Sequence, residues 1–270
     1  MLAFAHIQKT AGTTLNWILR RSFGIRHLEV EPWRPFAGER YYATTYSAED
    51  HRHVQRLFPW VESIAGHHVK PHSDLHRICP DIRYFIFVRE PIARTASHYQ
   101  GMVQKMGYQK SCEHWLRGER FHDLQTKHIA DRPDVDEAIR ILRDRCILVG
   151  LQERFDESLV LLEQRARNQR LDVRYRAENV APSRSIVREL LGDVRTRELL
   201  ESVNRLDAEL YHWVRDELFP EQVREFGPGF ERAVESLRAR RAVRSRTVKA
   251  YSSPALRKLV LDPLAERHRR

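Results

Sequence analysis

"HIQKTAGTT", His6 to Thr14, is the stretch on which the fold turns. It joins a short apolar run, Leu2 to Ile7, to a segment in which Leu15, Ile18 and Leu19 recur at helical spacing beside Trp17. A strand, a loop of small and hydroxyl-bearing residues and then a helix aim backbone N–H groups and the positive end of a helix dipole at one point. That arrangement is a cradle for an anion such as phosphate. Lys9 stands ahead of Ala11 and Gly12, whereas the GxxxxGK[ST] loop sets its lysine after the second glycine. Lys9 therefore enters from the opposite end, with the N–H groups of Ala11, Gly12, Thr13 and Thr14 and the hydroxyls of Thr10, Thr13 and Thr14 as donors. A plain strand-to-helix turn with threonine caps is the alternative reading.

Downstream, "RYFIFVREP" (Arg83 to Pro91) holds five consecutive apolar or aromatic residues, the mark of a central parallel strand buried on both faces. Pro91 suits the first turn of a helix running through "IARTASHYQGMVQKM". Arg89 then ends the strand, facing the crevice where open α/β sheets bind ligands, and its guanidinium fork suits a phosphate. Ser97, two turns down, can cap the same anion. Arg89 could equally pair with a carboxylate such as Glu90. "CILVGLQERFDESLVLLEQRAR" supplies a third strand and a helix from near Asp156, a short helix is expected near Ala48 to Leu57, and Ser185 to Leu218 reads as helical throughout. Strands alternating with helices give an α/β protein with a P-loop-like central parallel sheet flanked by helices and a helical C-terminal part. Residues 1–230 read as one domain and 231–270 as a basic extension.

"AGHHVKPHSDLH", Ala65 to His76, holds His67, His68, His72 and His76. On a helix, the i, i+4, i+8 spacing of three of them would resemble a metal face, but Pro71 argues against a continuous helix. A histidine general base near pH 7 fits better, and surface or capping roles suit most of the four.

Composition sets the outer bounds. The chain has 270 residues, 41% of them hydrophobic, enough for an ordinary core. It has no apolar run of the roughly 18 residues that span a bilayer, and the N-terminus enters a strand at once, so a cytoplasmic protein is expected. Cys79, Cys112 and Cys146 match neither a disulfide framework nor a metal pattern. The formal charge of +10 is uneven: from Glu231 to Arg270 there are 12 Lys+Arg against 4 Asp+Glu, so this tail carries +8. It suits a polyanion or an anionic membrane surface, or else a solvated helix packed on the body. It lacks the aromatic interleaving of a base-stacking surface, so no nucleic-acid partner is expected.

Taken together, these segments resemble the carbohydrate-type sulfotransferases related to the heparan sulfate 2-O- and 6-O-sulfotransferases and their bacterial relatives. "HIQKTAGTT" is similar to that family's 5′-phosphosulfate loop, with Gln8 for a proline and Ala11 for a glycine. "FVREPIARTASHY" is similar to its 3′-phosphate segment, which makes Arg89 and Ser97 the expected ligands of that phosphate. "FHDLQTKHIA", "VGLQERFDESLVLLE" and "NRLDAELYHWV" resemble further family segments, so similarity runs from about Leu2 to Phe219. The resemblance implies the fold of sulfotransferases that use 3′-phosphoadenosine 5′-phosphosulfate (PAPS), PAPS as co-substrate, no metal, and an acceptor hydroxyl, expected on a carbohydrate. It implies Lys9 on the leaving phosphate and a catalytic histidine that "GHH" places at His67, with His68 able to exchange roles. "ENVAPSRS" resembles a late loop near the nucleotide, which would bring in Ser183 and Arg184. Two other classes stand as alternatives: a P-loop kinase or NTPase, disfavoured by the missing GK[ST], and a non-catalytic protein that binds an anionic glycan or membrane through its tail. The acceptor's identity and the oligomeric state are not encoded in any motif.

Overall fold

β1 (Leu2–Ala5) is buried at every residue and is the middle strand of a five-stranded sheet of order β2-β3-β1-β4-β5. The computed structural model describes residues 1–36, 40–166, 171–175, 185–240 and 254–269. After β1 come α1 (Gly12–Phe23), β2 (His27–Glu29), α2 (Arg40–Ala43), α3 (Ala48–Leu57), β3 (Ser63–Gly66), β4 (Arg83–Val88) and α4 (Pro91–Met106). Next are α5 (Cys112–Leu116), α6 (Leu124–Ala130), α7 (Val135–Arg145), β5 (Cys146–Leu151) and α8 (Phe155–Arg165). The helical part holds α9 (Ser185–Gly192), α10 (Val194–Ser202), α11 (Arg205–Trp213), α12 (Phe219–Phe226) and α13 (Phe230–Arg240); α14 (Asp262–Arg269) continues a π-helical turn, Arg257–Leu261.

All four strand pairings are parallel, with Ala3 level with both Ile64 and Tyr84. All-parallel sheets are covered on both faces. Phe4, Phe85 and Phe87 belong to one core with Leu15, Ile18 and Leu19 of α1 and Leu159 and Leu162 of α8. Ala3, Ile64 and Tyr84 belong to a second, closed by Val54 of α3 and by Leu261 and Ala265 of the C-terminal segment. Among the described residues no helix is long and apolar enough to cross a membrane.

Three strands are evident from apolar runs in the sequence; β2 and β3 are not. They have three and four residues, too few for a period to show. The helix expected at Ala48–Leu57 is present, started by a capping box in which Ser47 and Asp50 satisfy each other's backbone N–H. The run from Ser185 to Leu218 is broken where Asp193 caps α10 and again at Val203 and Asn204.

The turn into α6 shows how the helical part is tied to the sheet. Asp207 of α11 accepts from the Gln125 and Thr126 N–H groups at 3.0 and 2.7 Å, capping α6. In return, Asp123 accepts from the Leu206 and Asp207 N–H groups at 2.8 and 3.1 Å, capping α11. Each helix thus satisfies the orphan donors of the other.

Candidate active site

The loop between β1 and α1 is held open from within. Lys9 and Ala11 take the left-handed conformation, with φ of 72° and 66°, and the Thr14 N–H, expected as an anion donor, instead closes the turn onto the Ala11 carbonyl at 3.1 Å. Glycine would adopt this φ at position 11 without a steric cost; alanine adopts it here all the same. Gly12 is needed for a different reason, since a Cβ there would lie 1.6 Å from the His6 Nε2. Thr10, fully buried, donates its hydroxyl to the Ile7 carbonyl at 2.9 Å and so shapes the loop. Thr14 is buried and Thr13 is exposed, both in the first turn of α1, which has no acidic residue. The positive end of the dipole is left uncancelled on that turn.

Lys9 reaches across to α4. A Cβ on Gly101 would stand 3.3 Å from its Nζ, so the ammonium lies against that glycine. Ser97 is one turn toward the N-terminus on the same face of α4. Burial first, and then Lys105 and Arg89, hold the Lys9 ammonium below the ordinary lysine value, and every neighbouring charge that moves it is positive. Arg89 leaves the end of β4 and donates to the Lys9 carbonyl at 3.1 Å, joining the two phosphate motifs directly. Its own backbone is clamped by Gln125, which accepts from Arg89 N–H and donates to Arg89 C=O, both at 2.9 Å. Three mutually coupled cations, with Ser97 one turn from Gly101 and the N-terminus of α1 on the same loop as Lys9, fit a ligand with more than one phosphate-like charge.

His67 follows β3 and lies on the other flank of β1. Its Nδ1 is 2.8 Å from the His6 carbonyl; a carbonyl can only accept, so Nδ1 carries the hydrogen and Nε2 keeps a lone pair. The His6 ring packs against the His67 ring at 4.0 Å between centroids, so Gly12, His6 and His67 form one stack. Burial chiefly keeps His67 below the usual imidazole value; its bond to His6 and the carboxylates of Glu31 and Glu29 push the other way, and Arg257 lowers it further. His68 is turned away, its Nδ1 donating to the Thr44 carbonyl at 3.1 Å, and burial takes its pKa down to about 4.

Two cavities meet at His67. One of about 290 Å³ is walled by Thr13, Asn16, Tyr41, Glu31, His68 and Arg257 among others. The other, of about 160 Å³, is bordered by Gln8, Tyr42, Lys70, Arg120, Lys127 and His128. Lys70, almost fully buried, donates to the Tyr42 carbonyl at 2.7 Å, and burial lowers its pKa to about 8.

The structure therefore gathers Lys9, Thr10, Ala11, Gly12, Thr13, Thr14, Arg89, Ser97 and His67 at the carboxyl ends of β3, β1 and β4, with His68 beside them. His72 and His76 go elsewhere: His72 contacts Thr45 and the Ile129 carbonyl, and His76 turns to the Ser73 carbonyl. Among the described residues no group of three or more His, Cys, Asp or Glu is placed to hold a metal ion. Ser183 and Arg184 lie outside the described residues. Gln125, Asp207, Asn16 and Arg257 do not stand out in the sequence. Only the Gln-Thr core of "FHDLQTKHIA" carries a signal, because the contacts of the others are long-range.

No curated protein matches the chain. Among solved structures, a sulfotransferase from Alicyclobacillus acidocaldarius is 15% identical over 75% of this chain and 95% of its own, with a TM-score of 0.40. The sequence pattern of the family described as Galactose-3-O-sulfotransferase matches residues 105–259, more than half of the chain, a span that includes Gln125, Asp207 and Arg257. The chain therefore belongs to the galactose-3-O-sulfotransferase family.

Proposed function

We propose that the protein transfers a sulfuryl group from PAPS to a carbohydrate hydroxyl, with His67 as general base. The observation that carries this reading is the junction of the two phosphate motifs: Arg89 on the Lys9 carbonyl, with the Lys9 ammonium and Ser97 on one face of α4 and His67 across β1. When bound, PAPS supplies a sulfate already activated by a phosphate leaving group. Arg89 and Ser97 would hold its 3′-phosphate, and the loop N–H groups its 5′-phosphate.

The chain's own residues divide the chemistry. In-line group transfer asks the protein for position and for charge stabilisation more than for covalent steps. Lys9, crowded by Lys105 and Arg89, is stabilised by negative charge arriving beside it, so charge growing on the leaving phosphate relieves its own repulsion. His67, with its tautomer fixed by the His6 carbonyl, presents Nε2 to an acceptor hydroxyl and takes the proton as the sulfur–oxygen bond forms. A base so placed contributes about 10²- to 10⁴-fold. His68, deep in the wall and turned to Thr44, supports the pocket.

Calorimetric titration of the metal-stripped protein with adenosine 3′,5′-bisphosphate, with ATP–Mg²⁺ as competitor, tests the reading. Binding of the bisphosphate without metal, lost in Arg89→Ala and retained in a His67→Ala protein that no longer turns over, is expected. Preference for ATP–Mg²⁺ would make the protein a P-loop kinase or NTPase instead.

A further inference from the structure

The larger cavity beside His67 is built for something other than the donor. Asn16 and His68 line it, both buried at 7% and 2% exposure, and Asn16 Oδ1 and His68 Nε2 have no hydrogen-bond partner among the described residues. Buried polar atoms are nearly always satisfied, so two such atoms on residues lining one cavity point to a ligand. The type of ligand follows from their chemistry. His68 Nδ1 carries its hydrogen to the Thr44 carbonyl, so Nε2 is an acceptor, and Asn16 Oδ1 is an acceptor too. Both call for O–H or N–H donors.

The charges around them balance. Glu29 accepts from Arg20 Nε at 2.6 Å, and Glu31 accepts from Arg257 Nη2 at 2.7 Å. Two carboxylates and two guanidiniums leave the wall neutral, with spare carboxylate lone pairs as further acceptors. A uronate or sulfate placed here would meet Glu29 and Glu31; a ring bearing several hydroxyls would satisfy them. The cavity, about 290 Å³, has room for one such ring.

One wall comes from the far end of the chain. Arg257 lies between Glu31, Asp262 at 3.2 Å and Glu29 at 3.9 Å. The segment carrying it is fastened at its other end by Arg269, which donates to the Pro32 carbonyl at 2.6 Å and lies over the Phe36 ring. Leu261 and Ala265 anchor its middle in the core.

We propose that residues 254–269 complete an acceptor pocket for an uncharged, hydroxyl-rich sugar ring, in which Arg257 holds Glu31 and Glu29 as hydroxyl acceptors beside His67. The inference rests on the sulfotransferase reading with His67 as base. It makes Arg257 a specificity-determining residue and gives this part of the basic C-terminus a task at the site.

The test uses the full chain saturated with adenosine 3′,5′-bisphosphate on an array of neutral glycans and of uronate- or sialate-bearing ones, with the bisphosphate affinity measured separately. Binding to neutral members is expected. Arg257→Gln and Glu31→Gln should each weaken it about tenfold, with Arg257→Lys between them and the wild type, while bisphosphate affinity and melting temperature stay unchanged. Binding confined to acidic glycans, absence of glycan binding in a protein that binds the bisphosphate, or unaltered glycan binding in Arg257→Gln would each overturn the proposal. Equal loss of bisphosphate and glycan binding in the Gln and Lys variants would also overturn it, by making Arg257 structural. A wild-type chain that fails to bind the bisphosphate overturns the sulfotransferase reading and this inference together.

Discussion

On the proposed mechanism the protonation of one imidazole sets the low-pH side of activity. Burial sets His67 below the ordinary imidazole value of 6.5, against the upward pull of the His6 carbonyl, Glu31 and Glu29. The base must be neutral to work, so the rate falls only as pH drops through this depressed value. The acidic limb of kcat/KM is therefore expected below pH 6.5. His6 packs on the ring from just after β1, Glu29 and Glu31 act on it from β2 and the residues just after it, and Arg257 from the C-terminal segment. Removing the Arg257 cation stabilises the imidazolium, so Arg257→Gln should move the limb to higher pH and Glu31→Gln to lower pH. A pH–rate series on the three proteins checks this, and limbs that do not move apart would show that the charges do not reach the base. Gly12→Ala belongs to the same scale. Its methyl would drive the His6 ring, and with it His67, out of place, costing about 10²-fold in rate and about 1–3 kcal/mol in stability. Steady-state kinetics beside a melting curve reads both. Lys9, Arg89 and His67 are legible in the sequence because each stands in a local pattern of residue types. Asn16 and Arg257 are not, because nothing near them in the chain records that a partner 226 residues from Arg257 waits at Glu31.

Elements carry the next level of control. The chain of contacts from Asp207 through the N-terminus of α6 and Gln125 to the Arg89 backbone means that Arg89, just past β4, is aimed by the helical part. Asp207 is fully buried and faces Arg94, itself fully buried; burial raises the Asp207 pKa while Arg94 and the α6 N–H groups pull it down. Asp207→Ala would leave the α6 N–H groups and the Thr126 hydroxyl without their acceptor, a loss of about 2–5 kcal/mol that denaturant unfolding would register. Gln125→Leu should be milder, about 1–3 kcal/mol from unpaired Arg89 backbone groups, with bisphosphate affinity down about tenfold. If that affinity is unchanged, Arg89 does not depend on its clamp. Apolar runs make β1, β4 and β5 readable from residue types alone, whereas β2 and β3 are strands only because β1 offers them an edge. β2 delivers Glu29 and β3 stops just before His67, so the two elements too short to show a period wall the larger cavity.

At the scale of the whole molecule, neutral histidines locked in the interior make the fold sensitive to acid. His27, His51, His68, His98 and His128 are all buried. Burial holds them to about 3, 4, 4 and 3 for the first four, and well below the ordinary value for His128. In the unfolded chain each would bind a proton as pH falls through about 6.5, while in the folded chain it would not until far lower. The unfolded state therefore holds more protons across this window, and stability present above pH 6.5 is lost as pH falls. The slope is about 1.4 kcal/mol per pH unit for each histidine, or about 7 kcal/mol per unit for the five once all are charged in the unfolded chain. Asp207, its pKa raised by burial, works in the opposite direction, but it is one group against five. Since domains are stable by only about 5–15 kcal/mol, the protein is expected to unfold cooperatively near pH 5, well above the range in which its surface carboxylates titrate. Melting temperature followed from pH 8 to pH 4 would show a steep fall beginning near pH 6.5. A melting temperature that stays level to pH 5 would mean these imidazoles reach solvent, and with them the wall of the pocket behind His67.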